Sequence, residues 1–170
     1  MTSVFRVTIT AAIAVAAIAA AALLTATGVQ AAGRVEVRWV EPERFSDIGS
    51  RPWVRERTLQ ALGEYIQHLG RLLPEGQSLH IEVTDVDLAG EIDYSSWHET
   101  RVLRGRADVP RIALRYTLRA DGRSVKSEEI WLSDLNYLGA PYLTALRQTE
   151  LGYEKQMLER WFRDTFAAAP

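Results

Sequence analysis

Alternation of apolar and polar residues predicts four β-strands in this chain. The period of two is the one expected where a strand buries one face and exposes the other. Asp121-Gly122 separates the last two of these segments and is typical of a tight turn, so we expect these two strands to form an antiparallel hairpin. The four predicted strands are residues 35–39, 79–83, 111–118 and 124–132.

Apolar residues recur every three or four positions in two other segments, which predicts two amphipathic helices. The first begins at Pro52, a residue suited to the first helical turn, and ends before Pro74. The second covers residues 150–166, and we place Glu154 on its wet face. The order strand, helix, strand favours a right-handed crossover that joins two parallel strands.

A single α+β domain over residues 32–170 is the fold that these elements predict. We expect two layers, with one mostly antiparallel sheet of about four strands and both helices packed on its apolar face. Residues 91–108 show no clear period. A connection longer than about 12 to 15 residues without secondary structure is usually functional or mobile, so this segment is a candidate binding region.

The start of the chain predicts export. Residues 7–33 contain no charged side chain, they follow the positive Arg6, and they end with small residues around Ala31 and Ala32. This order is typical of a secretory signal peptide, here residues 1–31, cut after one of those two alanines. A retained membrane anchor is the alternative, although an alanine-rich run is weakly hydrophobic for that role. We therefore expect a periplasmic protein that contacts the membrane only through its signal, before cleavage.

Composition narrows the classes of function. A hydrophobic fraction of 47% and a charged fraction of 25% are those of a globular protein, not a disordered one. The chain has no cysteine, which excludes disulfides and thiolate metal sites. The net charge is −2, and cleavage would remove one basic residue, Arg6, and no acidic one. A weakly acidic, exported chain offers no attraction to nucleic acid, so we expect no such partner.

Two aspartates interrupt the second predicted strand. If residues 79–83 continued unchanged, Asp85 and Asp87 would join the apolar face, where isolated carboxylates cost several kcal/mol each. Val86 meanwhile requires burial in the opposite phase. The chain must therefore form a bulge or end the strand near Thr84, or else supply arginine partners to the aspartates.

The same aspartates are the strongest candidates for chemistry. A calcium-binding EF-hand loop is matched at only its first, third and sixth positions, so a site for calcium or another divalent cation at Asp85 and Asp87 would be non-standard. We otherwise expect no cofactor. The competing interpretation is that the aspartates pair with Arg101 or Arg104, or cap a turn. We expect at least one of them to bond an arginine side chain of the arginine-dense 101–111 segment or two loop backbone amides, which would tie the 91–108 loop to the end of the sheet.

Two classes of function fit these observations. The first is a non-enzymatic envelope protein that binds an envelope protein or ligand through the 85–108 region and a sheet edge. The second is a small metal-dependent or carboxylate-dependent hydrolase centred on Asp85 and Asp87. The candidate binding or structural residues are Asp85, Asp87, Glu91, Asp93, Trp97, His98, Arg101, Arg104, Asp134 and Tyr137.

Seven short blocks of sequence, taken in order, indicate a resemblance to known proteins. They are Glu41-Pro42 with Phe45-Ser46-Asp47, Leu73 to Gln77, Thr84 to Gly90, Arg101-Val102, Pro110 to Ile112, Asp134 to Leu138, and Tyr153 to Lys155 with Trp161-Phe162. In this order the blocks resemble a family of secreted proteobacterial proteins, the domain of unknown function 3016. The resemblance covers essentially the whole mature chain. It implies export and one small domain, and it implies no activity.

Overall fold

A four-stranded mixed sheet is the main element of the computed structural model, which describes residues 33–93, 100–139 and 149–167. The sheet has the order β1-β2-β5-β6, and a separate two-stranded sheet pairs β3 with β4. The elements are β1 Arg34–Trp39, α1 Pro52–Leu69, β2 Gln77–Asp87, β3 Glu91–Asp93, β4 Thr100–Val102, β5 Arg111–Ala120, β6 Arg123–Ser133 and α2 Gly152–Phe166, with short 3-10 turns at Pro42–Arg44, Gly70–Leu72 and Gly105–Ala107.

The α+β class and the four predicted strands are confirmed, and the sheet is mixed. β1 and β2 are parallel, as expected for strands joined through α1, while β2–β5 and β5–β6 are antiparallel. The prediction of a segment without regular structure at 91–108 was wrong in part, because β3 and β4 form a short antiparallel pair there. Strands of three residues are too short to produce a readable alternation. The predicted signal peptide and the candidates Trp97 and His98 lie outside the described residues.

One hydrophobic cluster joins the sheet to both helices. α1 and α2 each supply side chains that are fully or almost fully buried, and the same cluster includes every second residue along much of β2 and β5. In the described ranges, neither helix is long and apolar enough to cross a membrane. The most deeply buried members of the cluster are Leu62, Ile81, Val83, Val86, Leu114, Leu158 and Phe162.

A β-bulge resolves the conflict at the aspartates. The pairing of β2 with β5 shifts between Val83 and Asp85, so Thr84 is the additional residue. After the bulge Val86 is fully buried, and Asp87 lies on the opposite face, across from Arg111. Of the three alternatives expected here, the structure therefore has the bulge near Thr84 and not the end of the strand, and β2 continues from Gln77 to Asp87.

β6 forms one edge of the four-stranded sheet. A tight turn precedes it, in which Asp121 and Gly122 both have positive φ, at 50° and 76°. No strand in the described ranges pairs with the outer side of β6. Most of its residues are exposed, including Trp131 at 71% and Val125 at 57%. A long edge with exposed apolar side chains is a surface on which another strand can pair.

Candidate functional site

The two candidate aspartates have different partners. The carboxylate of Asp85 accepts a hydrogen bond from the backbone N–H of Ser46 at 2.7 Å and another from the Ser46 hydroxyl at 2.8 Å. The carboxylate of Asp87 pairs with Nη1 of Arg111 at 3.3 Å. Asp85 thus fixes the 45–48 segment against β2, while Asp87 makes a cross-strand pair within the sheet.

The connection between the loop region and the sheet is made by Asp47 and Arg101. Nη2 of Arg101 lies 2.8 Å from each carboxylate oxygen of Asp47, and Nη1 donates to the carbonyl of Gly90 at 2.9 Å. About a quarter of each side chain is exposed. Asp47 is also joined to β2 by an isolated bridge, in which its N–H donates to Val86 O at 2.9 Å. The prediction that at least one of the two aspartates would bond an arginine of the 101–111 segment is confirmed by Asp87, whose partner is Arg111. The pairing of the aspartates with Arg101 or Arg104 was wrong, because Arg101 binds Asp47.

Three carboxylates therefore lie at the end of β2, and the charges of Asp47 and Asp85 act on Asp87. Burial raises the pKa of Asp87, and the nearby charges of Asp47 and Asp85 raise it further, while the Arg111 guanidinium opposes both effects. Each of the three carboxylates has a partner, as described above. In the part of the chain that the structure describes, no three His, Cys, Asp or Glu side chains are placed to hold a metal ion.

Arg104, Glu91 and Asp93 belong to the two-stranded sheet and the turn that follows it. The Arg104 guanidinium pairs with Glu91, and both side chains are more than half exposed. The backbone N–H of Arg104 donates to Asp108 at 2.6 Å, and the N–H of Gly90 donates to the carbonyl of Asp108 at 3.0 Å. Asp93 lies opposite Thr100 in the pairing of β3 with β4. Asp108 therefore accepts hydrogen bonds from both sides of the β3–β4 pair, from Gly90 before it and Arg104 after it.

Tyr137 and Asp134, the two candidates after β6, are both buried. The Tyr137 hydroxyl donates to Asp108 at 2.8 Å, and burial together with this bond raises the pKa of Tyr137 to about 12. Asp134 accepts a bond from Arg160 of α2 at 2.6 Å and another from the N–H of Asn136 at 3.0 Å. These bonds hold the turn after β6 in place. Both candidates therefore have a structural role in the domain.

Glu154 corrects one prediction and adds a residue that the sequence analysis did not select. It is only 2% exposed, and its Oε1 accepts a hydrogen bond from the N–H of Ala89 at 2.7 Å. Burial raises the pKa of the Glu154 carboxyl. We placed Glu154 on the wet face of α2 because it is charged, although its spacing of four from the buried Leu158 puts the two side chains on the same face.

A cleft of about 460 Å³ lies between the 45–50 segment and β3. Its volume is within the range of small-ligand sites, and its walls combine backbone, carboxylate and guanidinium groups. Nε of Arg55 is buried there without a hydrogen-bond partner among the described residues. The residues that line the cleft are Phe45, Ser46, Asp47, Ile48, Gly49, Ser50, Arg55, Glu91 and Ile92.

Comparison with known proteins gives one match. A family model described as "Protein of unknown function (DUF3016)" matches residues 33–164. No curated protein matches the chain. No solved structure matches it either.

Proposed function

We propose, for a chain that belongs to the DUF3016 family of proteins of unknown function, that it is a non-enzymatic interaction domain of the bacterial cell envelope. In this proposal residues 1–31 are a signal peptide and the mature domain acts in the periplasm. The binding surfaces are the 85–108 region with its cleft and the open edge of β6. Both helices would cover the apolar face of the four-stranded sheet and leave its polar face free.

The single observation that carries the proposal is that the candidate carboxylates are bonded to other segments of the chain. A general acid or base must reach a substrate proton, whereas Asp85 is held by Ser46 and Asp87 by Arg111. Asp47 is held by the two-pronged contact with Arg101. These bonds join one segment to another, which is the work of a structural network rather than of a reacting pair.

Exposed apolar side chains in both sheets support a binding function. Trp131 is 71% exposed on an edge strand, and a large side chain with an apolar body is a common anchor of protein interfaces. Val102 of β4, in the 85–108 region, is 38% exposed. An extended segment of a partner can add to a free sheet edge through backbone hydrogen bonds while side-chain contacts select it.

Photo-crosslinking in living cells tests this proposal. A photoreactive amino acid is placed at Trp131 or Val102, and a matched control carries it at Trp53, which is 59% exposed on α1. We expect a discrete adduct, identified by mass spectrometry, from position 131, from position 102 or from both, and none from position 53. Cells in which all three positions give the same adducts, or none, would contradict the proposal.

The competing candidate is a hydrolase centred on Asp85 and Asp87. It would require Asp85→Asn and Asp87→Asn to abolish an activity of the purified protein while the fold survives. For an interaction domain we expect both variants to stay folded, with a loss of about 1 to 3 kcal/mol of unfolding free energy, because each half-buried carboxylate loses charge-assisted hydrogen bonds, and to give the same adducts. Urea unfolding checks this expectation. Loss of an identified hydrolytic activity in either folded variant would favour the hydrolase.

A further inference from the structure

We propose that the cleft between the 45–50 segment and β3 binds a carboxylate group, with the Arg55 guanidinium as the cation that receives it. The inference rests on the proposed function, since it names the chemical class of ligand for a cleft that belongs to that binding surface. The carboxylate can belong to a small organic acid or to the C-terminus of a peptide, and the experiment distinguishes these two sources.

The first observation is an arginine without an acceptor. Nε of Arg55 is buried and has no hydrogen-bond partner among the described residues, and no carboxylate in the described ranges forms an ion pair with its guanidinium. A buried N–H without an acceptor is costly and rare in native proteins. Because the residue as a whole is half-buried and lines the cleft, a ligand there can reach its guanidinium.

The second observation is the position of Arg55 on its helix. It is the fourth residue of α1, and the side chains of a helix lean towards its N-terminus. The side chain is thereby directed over the first turn, towards Gly49 and Ser50, which line the cleft just before the helix. This first turn contains no acidic residue and has no side-chain cap. The partial positive charge of the helix N-terminus therefore adds to the charge of Arg55.

The third observation is that the acidic residues of the cleft already have cations. Asp47 has the two-pronged contact with Arg101, and Glu91 pairs with Arg104. Together with Arg55 these side chains are three arginines and two carboxylates, which leaves one positive charge. A ligand with a single negative charge would balance it, whereas a doubly charged anion would also meet repulsion from Asp47 and Glu91.

A carboxylate fits this cleft in geometry as well as in charge. A guanidinium offers pairs of parallel N–H groups, and a carboxylate accepts such a pair with its two oxygens. The ligand would meet the Nη groups of Arg55 first, and a rotation of the guanidinium would then bring Nε into the second contact. The volume of about 460 Å³ leaves room for the body of a small acid or for the last residues of a peptide.

Titration with butyrate, followed through the backbone amide signals in nitrogen-15 NMR spectra, tests the site. We expect saturable shifts at Gly49 and Ser50 with a millimolar Kd, and binding at least tenfold weaker in Arg55→Met. The matched control is Arg57→Met, because Arg57 lies on the same helix, is mostly exposed and pairs with Glu150. This control should change the Kd less than threefold. Sulfate should bind the parent at least threefold more weakly than butyrate does.

The melting temperature of Arg55→Met separates a ligand-binding arginine from a structural one. Its guanidinium has no partner to lose among the described residues, so the variant should melt no lower than the parent when no ligand is present. Butyrate should raise the melting temperature of the parent and leave that of the variant unchanged, because only the parent binds it. A variant that melts markedly lower than the parent without ligand would overturn the inference.

A tetra-alanine peptide identifies the source of the carboxylate. A cleft that takes a peptide terminus should bind the free peptide at least tenfold more tightly than its C-terminally amidated form, whereas a cleft for small acids should bind butyrate and neither peptide. No saturable shift with either ligand up to about 100 mM would overturn the inference. Sulfate binding as tight as that of butyrate, or equal butyrate binding by parent and Arg55→Met, would overturn it as well.

The outcomes also separate this inference from the proposed function. The crosslinking experiment tests capture of a partner at Trp131 and Val102, and it does not depend on butyrate. Discrete adducts together with a cleft that binds no carboxylate would leave the proposed function in place and remove only this inference. Carboxylate binding that depends on Arg55, without any adduct, would support the site and count against the interaction domain.

Discussion

Arg101→Met should lower the free energy of unfolding by about 2 to 4 kcal/mol, somewhat less than the loss from a fully buried ion pair, because a quarter of each side chain is exposed. The variant removes the two-pronged contact to Asp47 and leaves that carboxylate without its cation. It also removes the donor to the carbonyl of Gly90. Methionine keeps much of the length of the side chain, so the loss reports the bonds more than the packing. Urea unfolding with a two-state fit measures it.

Arg104→Met is the matched control, because Arg104 is in the same region and pairs with Glu91 where both side chains are more than half exposed. An exposed pair of this kind contributes about 0 to 1 kcal/mol, so this variant should unfold close to the parent. A double-mutant cycle with Asp47→Asn then isolates the coupling of Arg101 to Asp47. Equal losses for Arg101→Met and Arg104→Met, or a coupling near zero, would show that the contact does not anchor the loop region.

The sequence was sufficient to predict the fold where a single physical signal dominates. The strict alternation at 111–118 and the positive-φ turn at Asp121-Gly122 led directly to the β5–β6 hairpin. The burial demand of Val86 beside two aspartates indicated an irregularity near Thr84, but it left a bulge, a strand end and arginine partners open, and the structure has the bulge. β3 and β4 carry three residues each, so they have no period to detect.

The partners at the candidate site were harder to predict, because they depend on distance in space. Asp47 stands 54 positions from Arg101 along the chain, and it reaches Arg101 only because the 46–48 segment returns to the sheet beside Asp87. The flanking Phe45 and Ile48 were the available signal, since two apolar residues in a short polar loop indicate an anchored segment. Residue type identified Arg101 as an ion-pair partner, but it could not identify which carboxylate it would meet.

Glu154 was misplaced for a different reason, and that reason has an energetic consequence. A carboxylate on the apolar face of α2 is costly, but the N–H of Ala89, itself buried just after the end of β2, needs an acceptor. The bond to Glu154 satisfies that donor, but it does not offset the full cost of burying the carboxylate. Burial therefore still raises the pKa of Glu154, and the nearby Arg101 opposes the rise.

The stability of the parent relative to Glu154→Gln should consequently fall as the pH rises. The pKa in the folded state lies above the ordinary value of 4.5, so the folded protein holds this proton more tightly than the unfolded chain. The resulting stabilisation of the parent is fully present below pH 4.5 and is lost as the pH rises through the raised pKa of Glu154. In the variant, the glutamine amide still offers an oxygen that can accept the hydrogen bond from Ala89 N–H, and it does not titrate. We expect the difference in unfolding free energy between parent and variant to change by about 1 to 3 kcal/mol in favour of the variant between pH 4 and pH 8.

Urea unfolding across that range measures the change. The control is Glu64→Gln on the exposed face of α1, whose difference from the parent should stay within about 0.5 kcal/mol at every pH. A Glu154→Gln difference that is constant with pH, or that moves in favour of the parent as the pH rises, would mean that the buried carboxylate carries its charge without cost.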